Sequence, residues 1–298
     1  MDTIEKAVKK IGDGPVAPDG DGASLEPPLS GADSVIGVEA PDGEAPGQRY
    51  IDIDLGSLQA GGIVDPHSTQ RDQLAEEFRR IKRPLLKHVR GESASSTAIT
   101  HPNLVMVTSS LAGEGKTFTS INLALSIAME KDMTVLLVDA DVAKPEVTKR
   151  LGIQAEKGLT DVLLDDDVWL GDVLIRTSVP KLSILPAGRP HPHATELLAS
   201  SAMRELADEM SMRYPDRVII FDSPPLLLTS EARVLAGLMG QILVVVEESK
   251  TPQPVVQEAL NTIDGTEVVG LVLNKAHHHV GVDLYGAYGY GYGYGHKR

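Results

Sequence analysis

The segment that most restricts this chain is Ser109-Ser110-Leu111-Ala112-Gly113-Glu114-Gly115-Lys116-Thr117. Ahead of it, Leu104-Val105-Met106-Val107-Thr108 is a short apolar run that reads as a buried strand. Behind it, Ser120 to Met129 carries Ile121, Leu123, Ala124, Leu125, Ile127 and Ala128 and reads as a helix. Strand, glycine-bearing loop, Lys-Thr and helix is the order of a phosphate-binding P-loop. Glycines let successive backbone N–H groups turn toward one anion, and the helix start adds the positive end of its dipole. In that arrangement Gly113, Glu114, Gly115, Lys116, Thr117 and Phe118 line a phosphate site, with Lys116 on the β- and γ-phosphates and the Thr117 hydroxyl on Mg²⁺. The strict pattern has glycine where this chain has Ser110.

Two further strands end in acids. Thr134-Val135-Leu136-Leu137-Val138 runs into Asp139-Ala140-Asp141, and Arg217-Val218-Ile219-Ile220-Phe221 runs into Asp222-Ser223-Pro224-Pro225. Acids at the C-terminal ends of central strands lie at the crevice where open α/β sheets bind ligands. Asp139 and Asp141, spaced i and i+2, project to one side of an extended chain. Asp222 has the placing of a Walker B metal ligand. More strands are expected at Leu182 to Leu185, Gln241 to Val246 and Val268 to Leu273, and helices at Thr195 to Arg213, Glu231 to Met239 and Gln253 to Ile263. The alternation predicts an α/β fold, a mostly parallel sheet with helices on both faces.

Charge divides the chain. Lys plus Arg is 28 against 42 Asp plus Glu, a net charge of −14. Between Gly12 and Pro66 there are eleven acids and only Arg49 to oppose them. Glycine, proline and acids from Gly12 to Gly47 bury too little to fold, so residues 1–67 are expected to form a largely disordered leader. Within it, Tyr50-Ile51-Asp52-Ile53-Asp54-Leu55 alternates and reads as either an edge strand or a docking segment. Order is expected from Ser68 or Thr69, an N-cap for a helix carrying Leu74, Phe78, Ile81, Leu85 and Val89, interrupted at Pro84. Its other face is charged: Glu76, Glu77, Arg79, Arg80, Lys82 and Arg83. No basic face suited to nucleic acid is present. The chain has no cysteine and no apolar run of the roughly 18–20 residues that span a bilayer, so a cytoplasmic protein is expected.

The last segment but for His296-Lys297-Arg298 is Tyr285-Gly286-Ala287-Tyr288-Gly289-Tyr290-Gly291-Tyr292-Gly293-Tyr294-Gly295. Such a segment could be a low-complexity adhesive tail. Beside a triphosphate site, a cluster of accessible phenols also reads as a phosphoryl acceptor.

Three residue groups, Ser110 to Thr117, Val138-Asp139-Ala140-Asp141 with Lys144-Pro145, and Ile220 to Pro225, together with this tail, resemble the bacterial tyrosine kinases. Ile53-Asp54-Leu55 and Glu77 to Leu86 are similar to the exosortase-associated, exopolysaccharide-locus tyrosine autokinases. The resemblance implies a P-loop fold of the MinD/ParA-like kind over residues 68–275, followed by a tail at 276–298. It implies ATP and Mg²⁺, with Lys116, Asp139 and Asp141 catalytic and Thr117, Asp139 and Asp222 serving the metal. Asn274 falls where relatives contact adenine. Tyr285, Tyr288, Tyr290, Tyr292 and Tyr294 become the phosphoacceptors, modified in trans within a homo-oligomeric ring, an octamer by the family's pattern. The family's inter-subunit motif, Glu-x-x-Arg-x-x-Arg, aligns as Glu76, Arg79 and Lys82, or one residue along as Glu77, Arg80 and Arg83. The best-known family members have Arg shortly after the acidic pair, where this chain has Ala143 followed by Lys144. The implied partner is a separate membrane-anchored activator of the polysaccharide co-polymerase type, holding the kinase at the inner face of the cytoplasmic membrane. The competing class is a MinD/ParA-like positioning ATPase; those carry an early P-loop lysine where this chain has Leu111, and lack the tail.

Overall fold

A computed structural model describes residues 49–59, 61–65, 73–92, 99–263 and 268–276. The strands are β1 (Arg49–Ile51), β2 (Leu104–Ser109), β3 (Thr134–Asp139), β4 (Ile175–Thr177), β5 (Leu182–Leu185), β6 (Arg217–Asp222), β7 (Gln241–Glu247) and β8 (Val268–Asn274). The helices are α1 (Leu55–Gln59), α2 (Gln73–Val89), α3 (Lys116–Ala128), α4 (Val147–Arg150), α5 (Leu159–Leu164), α6 (Leu170–Val173), α7 (Ala194–Leu197), α8 (Ser201–Arg213), α9 (Ser230–Ala236) and α10 (Gln253–Leu260).

The strands form one sheet in the order β1-β4-β5-β3-β6-β2-β7-β8. Every neighbouring pair is parallel except β4 with β5. The expected α/β architecture is therefore the observed one, with β1 and β4 running against the other six strands. Because side chains alternate across a strand, each central strand supplies two cores. Leu104 and Met106 face the layer containing Leu159, Met203, Leu206 and Leu235, while Val105 and Val107 face the layer containing Phe78, Ile121, Leu125 and Leu137. Burial on both sides is why these strands are continuous apolar runs.

Several boundaries differ from the sequence reading. Residues 49–59 and 61–65 are not leader but part of the fold. The alternation at Ile51 and Ile53 yields edge strand β1, paired with β4, and Ile53, Ile63 and Val64 are buried against α3. The Asn122 carboxamide on α3 accepts from the Val64 amide (2.7 Å) and donates to Phe118 O, fastening that segment. Helix α2 continues through Pro84, which is exposed. The single helix expected at 195–213 is broken over Leu198 to Ser200. Ser200 restarts it as an N-cap, its hydroxyl oxygen accepting from the Met203 amide at 3.2 Å. The N-cap residues Ser68 and Thr69, residues 1–48 of the leader, and the tail from 277 onward, with all five of its tyrosines, lie outside the described residues. Among the described residues, no helix is long and apolar enough to cross a membrane.

Candidate active site

The sheet register assembles the site. In the parallel pairing of β3 with β6, Asp139 lies directly opposite Asp222, and neighbouring strands are only about 4.8 Å apart. The P-loop leaves β2, next to β6, so its helix α3 starts above these two acids. Asp222 Oδ1 accepts from Ser120 Oγ on α3 at 3.0 Å. Asp139 Oδ2 accepts from the Val147 amide at 3.0 Å. Their other oxygens, Asp139 Oδ1 and Asp222 Oδ2, are buried without a hydrogen-bond partner.

Such an arrangement is electrostatically unfavourable by itself. Burial, followed by the charge of Asp222, pushes the Asp139 carboxyl well above the usual carboxylate range. Burial likewise pushes Asp222 up to about 6, against the opposing pull of Lys116 and of hydrogen bonds from Thr117 and Ser120. Two orphaned carboxylate oxygens side by side suit a hard divalent cation. Among the described residues, no group of three His, Cys, Asp or Glu side chains forms a complete cation cage. That matches a cation held by one or two carboxylates, a hydroxyl, phosphate oxygens and water.

A prediction follows from the ionised Asp222. An acid whose folded pKa is raised favours the fold when protonated. Its contribution therefore improves as pH falls through about 6 toward 3.8, and is unfavourable at pH 7–8. At about 1.4 kcal/mol per pH unit, the gap corresponds to roughly 3 kcal/mol. Asp222→Asn should raise the nucleotide-free melting temperature at pH 8 by several degrees, with the gain shrinking at pH 5. A lower melting temperature at pH 8 would contradict this account of the site.

Lys116 Nζ donates to Asp141 Oδ2 at 2.6 Å, and Asp141 Oδ1 accepts from the Lys144 amide at 3.2 Å. The structure thus brings Lys116, Thr117, Asp139, Asp141 and Asp222 into one cluster. Gly113 and Gly115 have φ of 88° and 103°, the left-handed region that favours glycine. A Cβ on Gly115 would lie 2.0 Å from Asn274 Nδ2. Asn274 itself donates to Glu114 O at 2.8 Å, so it packs on the P-loop backbone.

Two expected site residues have other placements. The Phe118 ring packs on Phe78 of α2, with centroids 6.3 Å apart, so its side chain belongs to the core and only its backbone can serve a phosphate. Lys82, expected at a subunit interface, is buried. It donates to Ser126 O at 2.5 Å and pairs with Glu130 Oε1 at 2.8 Å, joining α2 to α3. Sequence reasoning also passed over Asp161. Its buried carboxylate accepts from the Gly158 and Arg189 amides and from Arg189 Nε, fixing the Pro186-to-Arg189 loop after β5. Burial pushes that carboxyl up, but the bonds from Arg189 and Gly158 outweigh it and hold it below its ordinary value. Its only signal was the Leu185-Pro186-Ala187-Gly188 segment, where Gly188 has φ of 94°.

A family model described as an AAA domain matches residues 103–267. Tyrosine-protein kinase CpsD of Streptococcus agalactiae is 31% identical over 197 residues, covering 65% of this chain and 84% of the relative. The chain belongs to the bacterial tyrosine-protein kinases. Succinoglycan biosynthesis transport protein ExoP of Rhizobium meliloti is 31% identical over 243 residues, 80% of this chain but 28% of that protein. The kinase domain of Escherichia coli tyrosine kinase ETK superposes with a TM-score of 0.61 at 25% identity, covering 80% of this chain and 98% of that domain. This bacterial tyrosine kinase therefore has the P-loop fold, with Asp139, Asp141 and Asp222 gathered at the C-terminal ends of β3 and β6 beside the loop.

Proposed function

We propose that this kinase transfers the γ-phosphoryl group of ATP to its own C-terminal tyrosines, Tyr285, Tyr288, Tyr290, Tyr292 and Tyr294, acting in trans within a ring of identical subunits. The observation that carries the reading is the junction of tail and site. Strand β8 ends at Asn274 on the P-loop backbone, and Lys275 Nζ donates to Gly113 O at 2.8 Å, so the chain enters its tail at the edge of the phosphate loop. A segment of about 20 residues has a typical end-to-end distance of roughly 25 Å, so reach permits either a subunit's own site or its neighbour's. The exposed, charged stripe of α2 supports the neighbour.

In the proposed reaction Mg²⁺ would be held by Thr117, Asp222 and Asp139, and would neutralise charge between the phosphates. Lys116 leaves Asp141 for the β- and γ-phosphates. Asp141, released from its lysine, is then free to accept the tyrosine proton while the phenolic oxygen bonds to the γ-phosphorus and the bond from that phosphorus to the β,γ-bridging oxygen breaks, releasing ADP. Each phosphotyrosine adds about −1.5 to −2 charge, so a modified tail would fit a neighbour's phosphate-filled site poorly and the ring would loosen. The role in exopolysaccharide production, and a membrane-anchored activator of the co-polymerase type that holds the kinase at the membrane, rest on the likeness to ExoP and on the motifs.

The test mixes two proteins. One carries Lys116→Ala with an intact tail; the other is active but has all five tail tyrosines changed to Phe. Label from ATP on the inactive chain is the expected result. Label only on serine, on Tyr214, or on neither chain would refute the reading.

A further inference from the structure

A carboxylate inside a phosphate-binding loop needs an explanation, because its charge opposes the ligand. Glu114 is such a residue, and it is buried. Its Oε2 accepts from the Leu111 amide at 2.6 Å, closing the P-loop on itself. Its Oε1 accepts from the Thr251 hydroxyl, in the turn between β7 and α10, and from the amide of Glu247, the last residue of β7, at 3.4 Å. The carboxylate therefore bridges the loop, through Oε2, and the end of β7 with its following turn, through Oε1.

The connection returns. Asn274 O accepts from the Glu248 amide at 2.9 Å. Glu247 Oε2 holds Lys275 Nζ at 3.1 Å, and that ammonium also donates to Gly113 O. Asn274 Nδ2 then donates to Glu114 O. P-loop, β7–α10 turn and the end of β8 thus form a closed circuit in which Glu114 contributes both its carboxylate and its carbonyl. Two non-glycine residues within it, Ser249 and Lys275, have φ of 58° and 56°. Such conformations persist where the surroundings over-determine them.

We propose that Glu114 is a positioning residue for nucleotide: its carboxylate presets the P-loop backbone by tying it to Thr251 and Glu247, so that the phosphate cradle and the Asn274–Lys275 wall form as one unit. The inference rests on the reading of Gly113 to Phe118 as the nucleotide site. With the link intact, the loop amides are already oriented when the phosphates arrive. With it cut, binding must also order the loop, and affinity falls by that amount.

The test uses the full chain with Glu114→Gln, Thr251→Val and the double variant, all close in size to the parent. A fluorescent N-methylanthraniloyl-ADP titration gives Kd, a melting curve gives stability, and steady-state labelling gives KM for ATP and kcat. Thr251→Val removes one hydroxyl and should raise Kd by about threefold to tenfold, the worth of a single hydrogen bond. Glu114→Gln cannot accept fully at both ends and should raise Kd by at least as much. The double variant should resemble Glu114→Gln alone, since both cut the same link. KM should rise more than kcat falls. Lower melting temperatures with parental Kd in both single variants would make the contact merely structural and overturn the proposal. A parent that binds no ADP removes the nucleotide-site reading together with the inference, whereas a parent that binds while both variants match it removes the inference alone.

Discussion

Lys116→Ala and Asp139→Asn should each lower tyrosine labelling by a factor on the order of 10²–10³ or more, the usual effect of removing a preorganised charge from a transition state. The two losses have different physical origins and different stability signatures. Lys116 is the cation that balances Asp141 across 2.6 Å. Its removal leaves a buried carboxylate with one partner fewer, so Lys116→Ala should also lower the melting temperature. Asp139 is the opposite case, since burial and Asp222 already disfavour its charge. Asp139→Asn should abolish labelling while leaving the melting temperature at or above the parent's. Both variants should be assayed with radiolabelled ATP and melted side by side. Labelling at the parental rate in either would displace that residue from the active centre. Asp139→Asn that melts well below the parent would mean that the acid is structural, held by the Val147 amide for the sake of the fold.

What sequence could convey follows from which interactions are local. The P-loop, α3 and the strands ending in Asp139 and Asp222 were legible because each is a contiguous pattern: an apolar run, then chemistry at its C-terminal end. Their meeting required only that the strands be parallel, which the alternation of strands and helices implied. The break between α7 and α8 was illegible because Ser200 sits within a run of good helix formers, and only the tertiary path of Leu198 and Met203 into the core decides for two helices. Short β4 is antiparallel to β5, an exception to the periodic pattern that three residues cannot announce. Lys82 misled for a related reason. A lysine among charges on a helix reads as solvated, yet its stem crosses to α3 and ends on Ser126 O and Glu130, over forty residues away in sequence. Glu114 was legible as a member of the loop but not as its anchor, because Glu247 ends β7 and Thr251 follows it, more than 130 residues further along the chain.

Under the proposed ring, the burial of Lys82 against Ser126 and Glu130 favours the exposed stripe of α2 as the one that meets a neighbouring subunit. Phe78, Lys82, Leu85 and Leu86 face inward, and Arg79 is paired with Glu76 of its own helix at 2.8 Å. Glu77, Arg80 and Arg83, spaced i, i+3 and i+6, are exposed and so line one face of the helix. That is the Glu-x-x-Arg-x-x-Arg pattern in its second register, and here its last member is arginine, able to make a planar bidentate pair with a carboxylate. An exposed ion pair alone contributes about 0.2–1 kcal/mol, too little to hold a ring. Reversing the charge at two positions does more, because like charges juxtaposed across an interface cost several kcal/mol, and every interface of a closed ring suffers it. Arg80→Glu with Arg83→Glu should therefore leave a monomer whose melting temperature is unchanged, measured by light scattering at the concentration where the parent assembles. Lys82→Ala should do the reverse: a melting temperature lower by several degrees, from the loss of the link between α2 and α3, with assembly retained in the folded fraction. A full-size ring in the double reversal would take α2 out of the interface. Loss of assembly in Lys82→Ala at parental stability would return the first register to it.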